Sequence, residues 1–454
     1  MFTLFDERMA RFGRELRDDY AAFVAGRWSA VDLAAHQLDR LRATVAYAQV
    51  NSPFYRDHLA GIDPATLTGP ESLPFTTKDD LRRARARILS RPLPRAWIYY
   101  ETTGTTGAST PCPRDNVDSL SNNMALTFYY GTIFRQYGDG QVIGVSGPTE
   151  MHAFGDTFGD VCRNLDLAVA KMWPHSPMVG YGRALEVLRD LPLTGLFSTP
   201  GMALALAKRA HAAGLDPRRD FRLDVIMCTG EPASPSLLEN VGAVWGATAY
   251  NALYASQEAS VLGAAAADGL LYTVPLLNYY EVVDPATGAA AAAGELVVTS
   301  LYQGSKPLVR YRTGDLVRLT PPRPGAPIPA PTLEVLGRTR DELTVGGRRI
   351  SGLDLEDLLL RRPRGYLDYQ IVIDADGLTL RLEPPPGGLR VDEAAMARDC
   401  HDALGVPLRV EYGPVGAVST TGAMVSWKAA RVEDRRQADD AERAVALAIA
   451  AGRS

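Results

Sequence analysis

Long hydrophobic runs are missing from this 454-residue chain. Nothing in it approaches the roughly 18 consecutive apolar residues that a membrane-spanning helix needs, so no membrane partner is expected. Cysteine is scarce. Cys112, Cys162, Cys228 and Cys400 are far apart and form no C-x-x-C pair, which excludes a zinc knuckle or redox dithiol on spacing. Free thiols in a reducing, cytoplasmic compartment are the plain expectation. An excess of positive charge is missing as well: 48 Lys and Arg stand against 53 Asp and Glu, a net charge of −5. That argues against a nucleic-acid partner, whose binding needs clustered cations. Residues 1–19 are charged throughout and hold no apolar signal core, so no secretory leader is expected. No internal repeat is visible.

What is present suits a folded protein with a sizeable core, since 46% of residues are hydrophobic and 22% charged. The first 90 residues look helical. In 31–50, Leu33, Leu38, Leu41 and Val45 recur at intervals of three to five, the spacing of an amphipathic helix. Thr77 followed by Asp79 and Asp80 marks a helix start. Strands are expected at 96–100, 142–145, 193–197 and 225–228, with helices at 184–191 and 204–213, an alternation that reads as an α/β core. From about residue 271 the texture turns to strands, at 279–283, 295–301 and 316–319. Residues 321–331 hold six prolines and read as an exposed loop. A helix at 353–360, strands at 370–374 and 378–383, and a helix at 392–404 suggest a separate α+β tail. The expected organisation is an α/β protein with mixed and parallel sheets and a β-rich subdomain in residues 1–336. A hinge at 337–341 then leads to a small mobile α+β domain at 342–454.

Four segments carry candidate chemistry. Thr102-Thr-Gly-Thr-Thr-Gly107 follows a strand and offers N–H and hydroxyl donors to a polyphosphate, although no Gly-Lys-Ser/Thr makes it a Walker loop. Lys306-Pro-Leu-Val-Arg-Tyr-Arg-Thr-Gly-Asp315 ends in an acid that can accept from two ribose hydroxyls. Glu258 is a hard carboxylate suited to Mg²⁺. Lys428 beside Trp427 offers a cation near the C-terminus. Read singly, each also has an ordinary reading as a turn, a cap, a surface acid or a solvated lysine.

Taken in order, these segments resemble the adenylate-forming superfamily of acyl-CoA synthetases and adenylation domains, and within it the phenylacetate–coenzyme A ligase-like branch. Asn51-Ser-Pro-Phe-Tyr-Arg56 and Leu73-Pro-Phe-Thr-Thr-Lys-Asp-Asp-Leu-Arg82 resemble that branch's N-terminal signatures. Residues 102–107 are similar to its S-S-G-T-T-G loop, and Thr229-Gly-Glu-Pro232 to its G-A-E-P segment. Residues 254–258 resemble Y-G-x-S/T-E, and 307–315 resemble P-L-I-R-Y-R-T-G-D. Residues 337–341 resemble the hinge pattern G-R-x-D-D, and 428–435 the terminal G-K-A-x-R-V-x-D-R. The chain departs from these patterns at Ala108 (usually Lys), Ala255 and Gln257 (Gly and Ser/Thr), Arg340 (Asp) and Trp427 (Gly).

The resemblance implies a two-step reaction, adenylation of a carboxylic acid by ATP followed by transfer to a thiol, usually that of coenzyme A. By position, Thr102, Thr103, Gly104, Thr105, Thr106 and Gly107 would hold the β- and γ-phosphates. Glu258 would be catalytic as the Mg²⁺ ligand. Gly230, Glu231 and Tyr254 would line the adenine, Asp315 would bind the ribose, and Arg338 would face the ribose or phosphates. Lys428 would bridge the attacking carboxylate and the α-phosphate. The acyl pocket would include His152, Phe154, Phe158, Ser198 and Thr199, whose aromatic walls suit an aryl acid; Phe154 and Phe158 also fit a core helix face. Arg340 would lie in the hinge about which the small domain rotates. Three functions follow: an aryl-acid:coenzyme A ligase, an adenylating enzyme passing its acyl group to a carrier protein or amine, and a non-catalytic nucleotide binder. Monomer and homodimer are both compatible with the sequence.

Overall fold

The computed structural model describes residues 6–96, 98–101, 111–338, 342–415 and 431–436. The N-terminal part is helical as expected, with α1 (Glu7–Val24), α2 (Ala30–Asn51), α3 (Pro53–His58) and α4 (Lys78–Ala84). In α2, Leu41, Thr44, Val45 and Ala48 are buried, one face at helical spacing, and Ser29 with Asp32 closes its N-terminus in a capping box. A short hairpin follows, β1 (Ile98–Glu101) with β2 (Pro111–Arg114).

Helix α5 (Asn116–Phe134) leads into alternating strands and helices: β3 (Val142–Val145), α6 (Phe154–Asn164), β4 (Ala168–Lys171), α7 (Gly180–Asp190), β5 (Gly195–Ser198), α8 (Pro200–Ala212), β6 (Val225–Cys228), α9 (Pro235–Trp245) and β7 (Thr248–Asn251). The strands form one parallel sheet in the order β4-β3-β5-β6-β7. Parallel neighbours need long crossovers, which the helices supply. Every residue of β5 and β6 is buried, as expected of a sheet covered on both faces. The chain leaves β3 toward one edge and β5 toward the other. A topological switch point therefore lies between their carboxyl ends, the usual place for a ligand crevice in such sheets.

Next come β8 (Leu253–Ser256), β9 (Ser260–Ala265), β10 (Leu271–Thr273), β11 (Asn278–Val283), β12 (Ala293–Ser300), β13 (Tyr311–Thr320) and β14 (Thr332–Arg338). They make a seven-stranded antiparallel sheet in the order β11-β12-β13-β14-β10-β9-β8. The proline-rich connection before β14 is exposed only over 321–325. Ile328 and Ala330 are fully buried in a core shared with α1, α5 and α6, because the Pro331 carbonyl accepts from Thr273 N–H at 2.9 Å and draws the segment inward.

After residue 341 come the hairpin β15 (Glu342–Val345) and β16 (Arg348–Ser351), then α10 (Gly352–Leu360), β17 (Asp368–Asp374), β18 (Gly377–Glu383), α11 (Glu393–Leu404), β19 (Leu408–Tyr412) and β20 (Val432–Asp434). Its main sheet runs β19-β18-β17-β20. One apolar core joins this part to α8 and α9: Ala203, Leu204, Leu237 and Val241 pack with Leu355, Leu359, Tyr366 and Tyr369. Among the described residues no helix is long and apolar enough to cross a membrane.

Candidate active site

Three of the expected nucleotide residues meet at one carboxylate. Asp315 and Arg338 are cross-strand partners on β13 and β14, and Arg338 Nε donates to Asp315 Oδ1 at 2.7 Å. Tyr254 on β8 donates its hydroxyl to Asp315 Oδ2, also at 2.7 Å. Asp315 is buried. The local backbone explains its aim. Gly314 sits at φ +79, a left-handed conformation that favours glycine, and the β13–β14 register shifts just beyond, between Leu316 and Val317. Such irregularities redirect side chains. Thr313 Oγ1 donates to the Leu296 carbonyl at 2.9 Å and accepts from Asp315 N–H at 3.2 Å. Each carboxylate oxygen has two lone pairs, so the two bonds leave Asp315 room to accept from a diol. Burial, followed by the charge of Asp315, holds the Tyr254 hydroxyl well above the ordinary phenol range.

Glu258 lies in the turn between β8 and β9, with its side chain 5% exposed. Lys78 Nζ is 3.0 Å from its Oε1. Burial acts to raise this carboxyl, but the charges of Lys78 and Lys306 overcome it and hold the group below its ordinary value. Glu258 is thus an ionised acid in a low-dielectric setting. Lys306 is itself buried and lies 3.3 Å from the Cys112 sulfur. Lys78 is placed by secondary structure. Thr76 pairs with β13 through Arg312 N–H to Thr76 O and Thr76 N–H to Arg310 O, both 2.9 Å. Thr77 then caps α4 in a capping box with Asp80, and Lys78 is the first helical residue. The adjacent Gln257 has a buried Nε2 with no hydrogen-bond partner among the described residues, a donor suited to a carboxylate or phosphate oxygen.

Of the expected acyl residues, Ser198 and Thr199 lie at the switch point. Ser198 ends β5 and accepts from Ser146 Oγ, just past β3, at 2.9 Å. Thr199 caps α8 through Met202 N–H at 3.0 Å. His152 Nδ1 accepts from Phe154 N–H at 3.2 Å, which leaves the proton of the neutral ring on Nε2. Burial, followed by the charge of Arg114, lowers its pKa to about 4. Phe154 and Phe158 are buried at helical spacing in α6, edge to face at 4.8 Å, and Phe158 stacks on Phe197 at 4.1 Å. They belong to a core shared with α1 and α5.

Gly230, at φ +85, turns the chain after β6, and Thr229 Oγ1 ties the turn to Leu253 O at 3.2 Å. Glu231 accepts from Gly201 N–H at 3.0 Å, and Arg431 Nη2 also lies close to Gly201. Thr102, Thr103, Gly104, Thr105, Thr106, Gly107, Ala108, Arg340 and Lys428 lie outside the described residues. Sequence reasoning did not single out Lys78 and Lys306 as partners of Glu258. The available signal was that both stand inside the motif-like segments 73–82 and 306–315.

Known proteins resemble the chain in sequence and in fold. Over 441 residues the chain is 27% identical to a phenylacetate-coenzyme A ligase of Aromatoleum evansii, covering 89% of this chain and 95% of that protein. It is 28% identical over 369 residues to the phenylacetate-coenzyme A ligase of Pseudomonas putida, covering 76% and 79%. Among solved structures, 2-hydroxyisobutyryl-CoA ligase in the postadenylation state superposes with a TM-score of 0.72 at 22% identity over 92% of this chain and 91% of that one. The same ligase in the thioesterification state gives 0.62 at 23% identity over 93% of each chain. No protein-family model matches the chain. The resemblance to the adenylate-forming superfamily and its phenylacetate–coenzyme A ligase branch is borne out in sequence, and the mixed α/β fold in structure.

Proposed function

From the premise that the chain is an adenylate-forming, phenylacetate–coenzyme A ligase-like enzyme, we propose that it activates an aryl or arylacetic acid with ATP and passes the acyl group to coenzyme A. In the first half-reaction an acid oxygen attacks the α-phosphorus, the bond to the bridging oxygen breaks, and pyrophosphate leaves. In the second, the coenzyme A sulfur attacks the acyl carbon, AMP leaves and the thiol proton goes to solvent. The observation that carries this reading is the convergence of Tyr254 and Arg338 on the buried carboxylate of Asp315. A carboxylate fixed in this way presents its remaining lone pairs at a set position, which suits a cis-diol.

Two anions must meet in the first half-reaction, and negative charge then moves onto the leaving group. Preplaced cations and N–H donors stabilise that charge better than reorganising water does. Lys78 and Lys306 stand on one side of this field, with Lys428 proposed as the bridge between acid and α-phosphate. Mg²⁺ fits the donor chemistry in one respect. Glu258 supplies an ionised, buried carboxylate, no cluster of three His, Cys, Asp or Glu exists among the described residues, and Mg²⁺ is ordinarily held by one or two carboxylates with phosphate oxygens and water. The ion would neutralise charge on the departing pyrophosphate. Lys78 would then exchange its contact on Glu258 for one on phosphate oxygen. His152, neutral near pH 7, offers Nε2–H to a substituent of the acid at the switch-point crevice.

The test is pyrophosphate–ATP exchange in Lys428→Ala. A fall of about 10²–10³-fold, the scale of losing one transition-state donor, is expected; exchange at the parent rate would remove Lys428 from the first half-reaction.

A further inference from the structure

The proposed reaction does not employ Arg114. This residue ends β2 and is only 7% exposed. Its guanidinium lies over the Tyr100 ring at 5.2 Å. Among the described residues its side chain takes part in no ion pair and no hydrogen bond. The nearby carboxylates are held by other groups. Asp115 pairs with Arg91 Nη1 at 2.8 Å. Asp156 accepts from the Tyr100 hydroxyl at 2.9 Å and pairs with Lys171 Nζ at 3.3 Å. Asp118 accepts from the N–H groups of Asp115 and Ser305 at 2.8 and 3.0 Å. A buried cation without a partner is costly, and an unsatisfied buried group of this kind calls for an explanation.

Strand register and helix placement say which ligand Arg114 faces. In the β1–β2 hairpin Arg114 stands opposite Ile98, whereas Pro111 stands opposite Glu101, where the two strands meet their connecting loop. Three residues along a strand are about 10 Å, so Arg114 sits at the far end of the hairpin from that loop. Its neighbour there is the start of α6. Tyr100, beneath the guanidinium, bonds Asp156 in the first turn of that helix, and His152 lies just before it in the loop after β3. Burial and then the charge of Arg114 keep the His152 ring neutral, with its proton on Nε2 because Nδ1 accepts from Phe154 N–H. Arg114 and His152 thus present donors only, with one positive charge between them. The planar guanidinium fork matches a carboxylate.

We propose that Arg114 determines specificity for the acid, and that the substrate is an aryl or arylacetic acid bearing a second carboxylate, which Arg114 binds together with the Nε2–H of His152. The proposal rests on the ligase reading above and names its substrate class. The first carboxylate is the one activated; the second stays ionised and supplies the charge that Arg114 lacks. An acid without it leaves the buried guanidinium unpaired, and a site built for a polar group rejects analogues that lack one.

The experiment uses the full chain, with Arg114→Met and Arg114→Lys beside the parent. Pyrophosphate–ATP exchange with MgATP is measured for phenylacetate and for its meta- and para-carboxy derivatives, and kcat/KM is compared between acids within each protein. The parent should favour one of the carboxylated acids over phenylacetate by about 10–100-fold, the scale of one charge-assisted contact. In Arg114→Met that ratio should fall close to one, and Arg114→Lys, which keeps the charge but not the fork, should hold an intermediate ratio. The thermal midpoint of ligand-free Arg114→Met should not fall, because the variant removes an unpaired buried charge. A parent that prefers phenylacetate, or a ratio that survives in Arg114→Met, would overturn the proposal and leave the ligase reading standing. A midpoint lowered by several degrees would make Arg114 a structural support of Tyr100 and would also overturn it. A parent that exchanges no pyrophosphate with any acid would overturn the ligase reading. Calorimetric binding of the carboxylated acids to ligand-free parent and Arg114→Met then decides the Arg114 site by itself: tighter binding to the parent supports it, and equal or absent binding overturns it.

Discussion

At the residue scale, Asp315 carries the most direct prediction. Asp315→Asn keeps the shape but removes the charge that Arg338 and Tyr254 bind. Charge-assisted hydrogen bonds contribute roughly 1.5–3 kcal/mol each. The KM for ATP should rise about 10–100-fold with kcat changed less, and steady-state kinetics at saturating acid would show it. His152 carries a second prediction. Its folded pKa, about 4, lies below the ordinary 6.5. Between these values the unfolded chain holds the proton and the folded one does not, so stability is lost as pH falls through that window. Asp118, raised by burial and then by Asp115, acts in the opposite sense, so the informative comparison is with His152→Gln. Urea unfolding at pH 7 and pH 4 should show the parent losing about 2 kcal/mol more than the variant; parallel losses would contradict the assignment. Residues whose chemistry is written in a motif, such as Asp315, Arg338 and Tyr254, were legible in the sequence. Lys78 was not, because its role depends on a contact with Glu258, 180 positions away, that only the fold creates.

At the element scale, β13 organises the site. Its start is fixed by Arg310, which donates to the carbonyls of Glu71 and Leu73 at 2.9 and 2.8 Å, pairs with Glu281 at 2.9 Å and lies over Phe75 at 4.1 Å. The ion pair is about nine-tenths buried on both sides. Arg310→Met should therefore leave Glu281 uncompensated, destabilise the fold by about 3–5 kcal/mol and lower the thermal midpoint by several degrees; an unchanged midpoint would show that the clamp is idle. The strands β3, β5 and β6 were legible because short apolar runs alternate with helical ones. Helix α5 was not, since its buried face carries Asp118, Ser121, Asn122 and Asn123, which hides the apolar periodicity. The segment 321–331 misled for a related reason: proline marks a turn but does not report what Ile328 packs against.

At the scale of the whole molecule, the described candidate residues are divided between the two sheets. The switch point of the parallel sheet carries Ser198 and Thr199, with His152 in the loop after β3, and the antiparallel sheet and its β8–β9 turn carry Asp315, Arg338, Tyr254 and Glu258. The C-terminal part docks beside the turn at Gly230. The order of motifs made this plan legible along the chain. The contact surface on α8 and α9 was not legible, because the tail after residue 341 reads as a separate unit while Leu355, Tyr366 and Tyr369 share a core with Leu204 and Leu237. The central claim is acid activation followed by transfer to coenzyme A. It is tested most directly by pyrophosphate release with MgATP over a panel of aryl and arylacetic acids, with and without coenzyme A. The account predicts release only when an acid is present, and repeated turnover only when coenzyme A is added. No release with any acid, or a single stoichiometric burst that coenzyme A leaves unchanged, would contradict it.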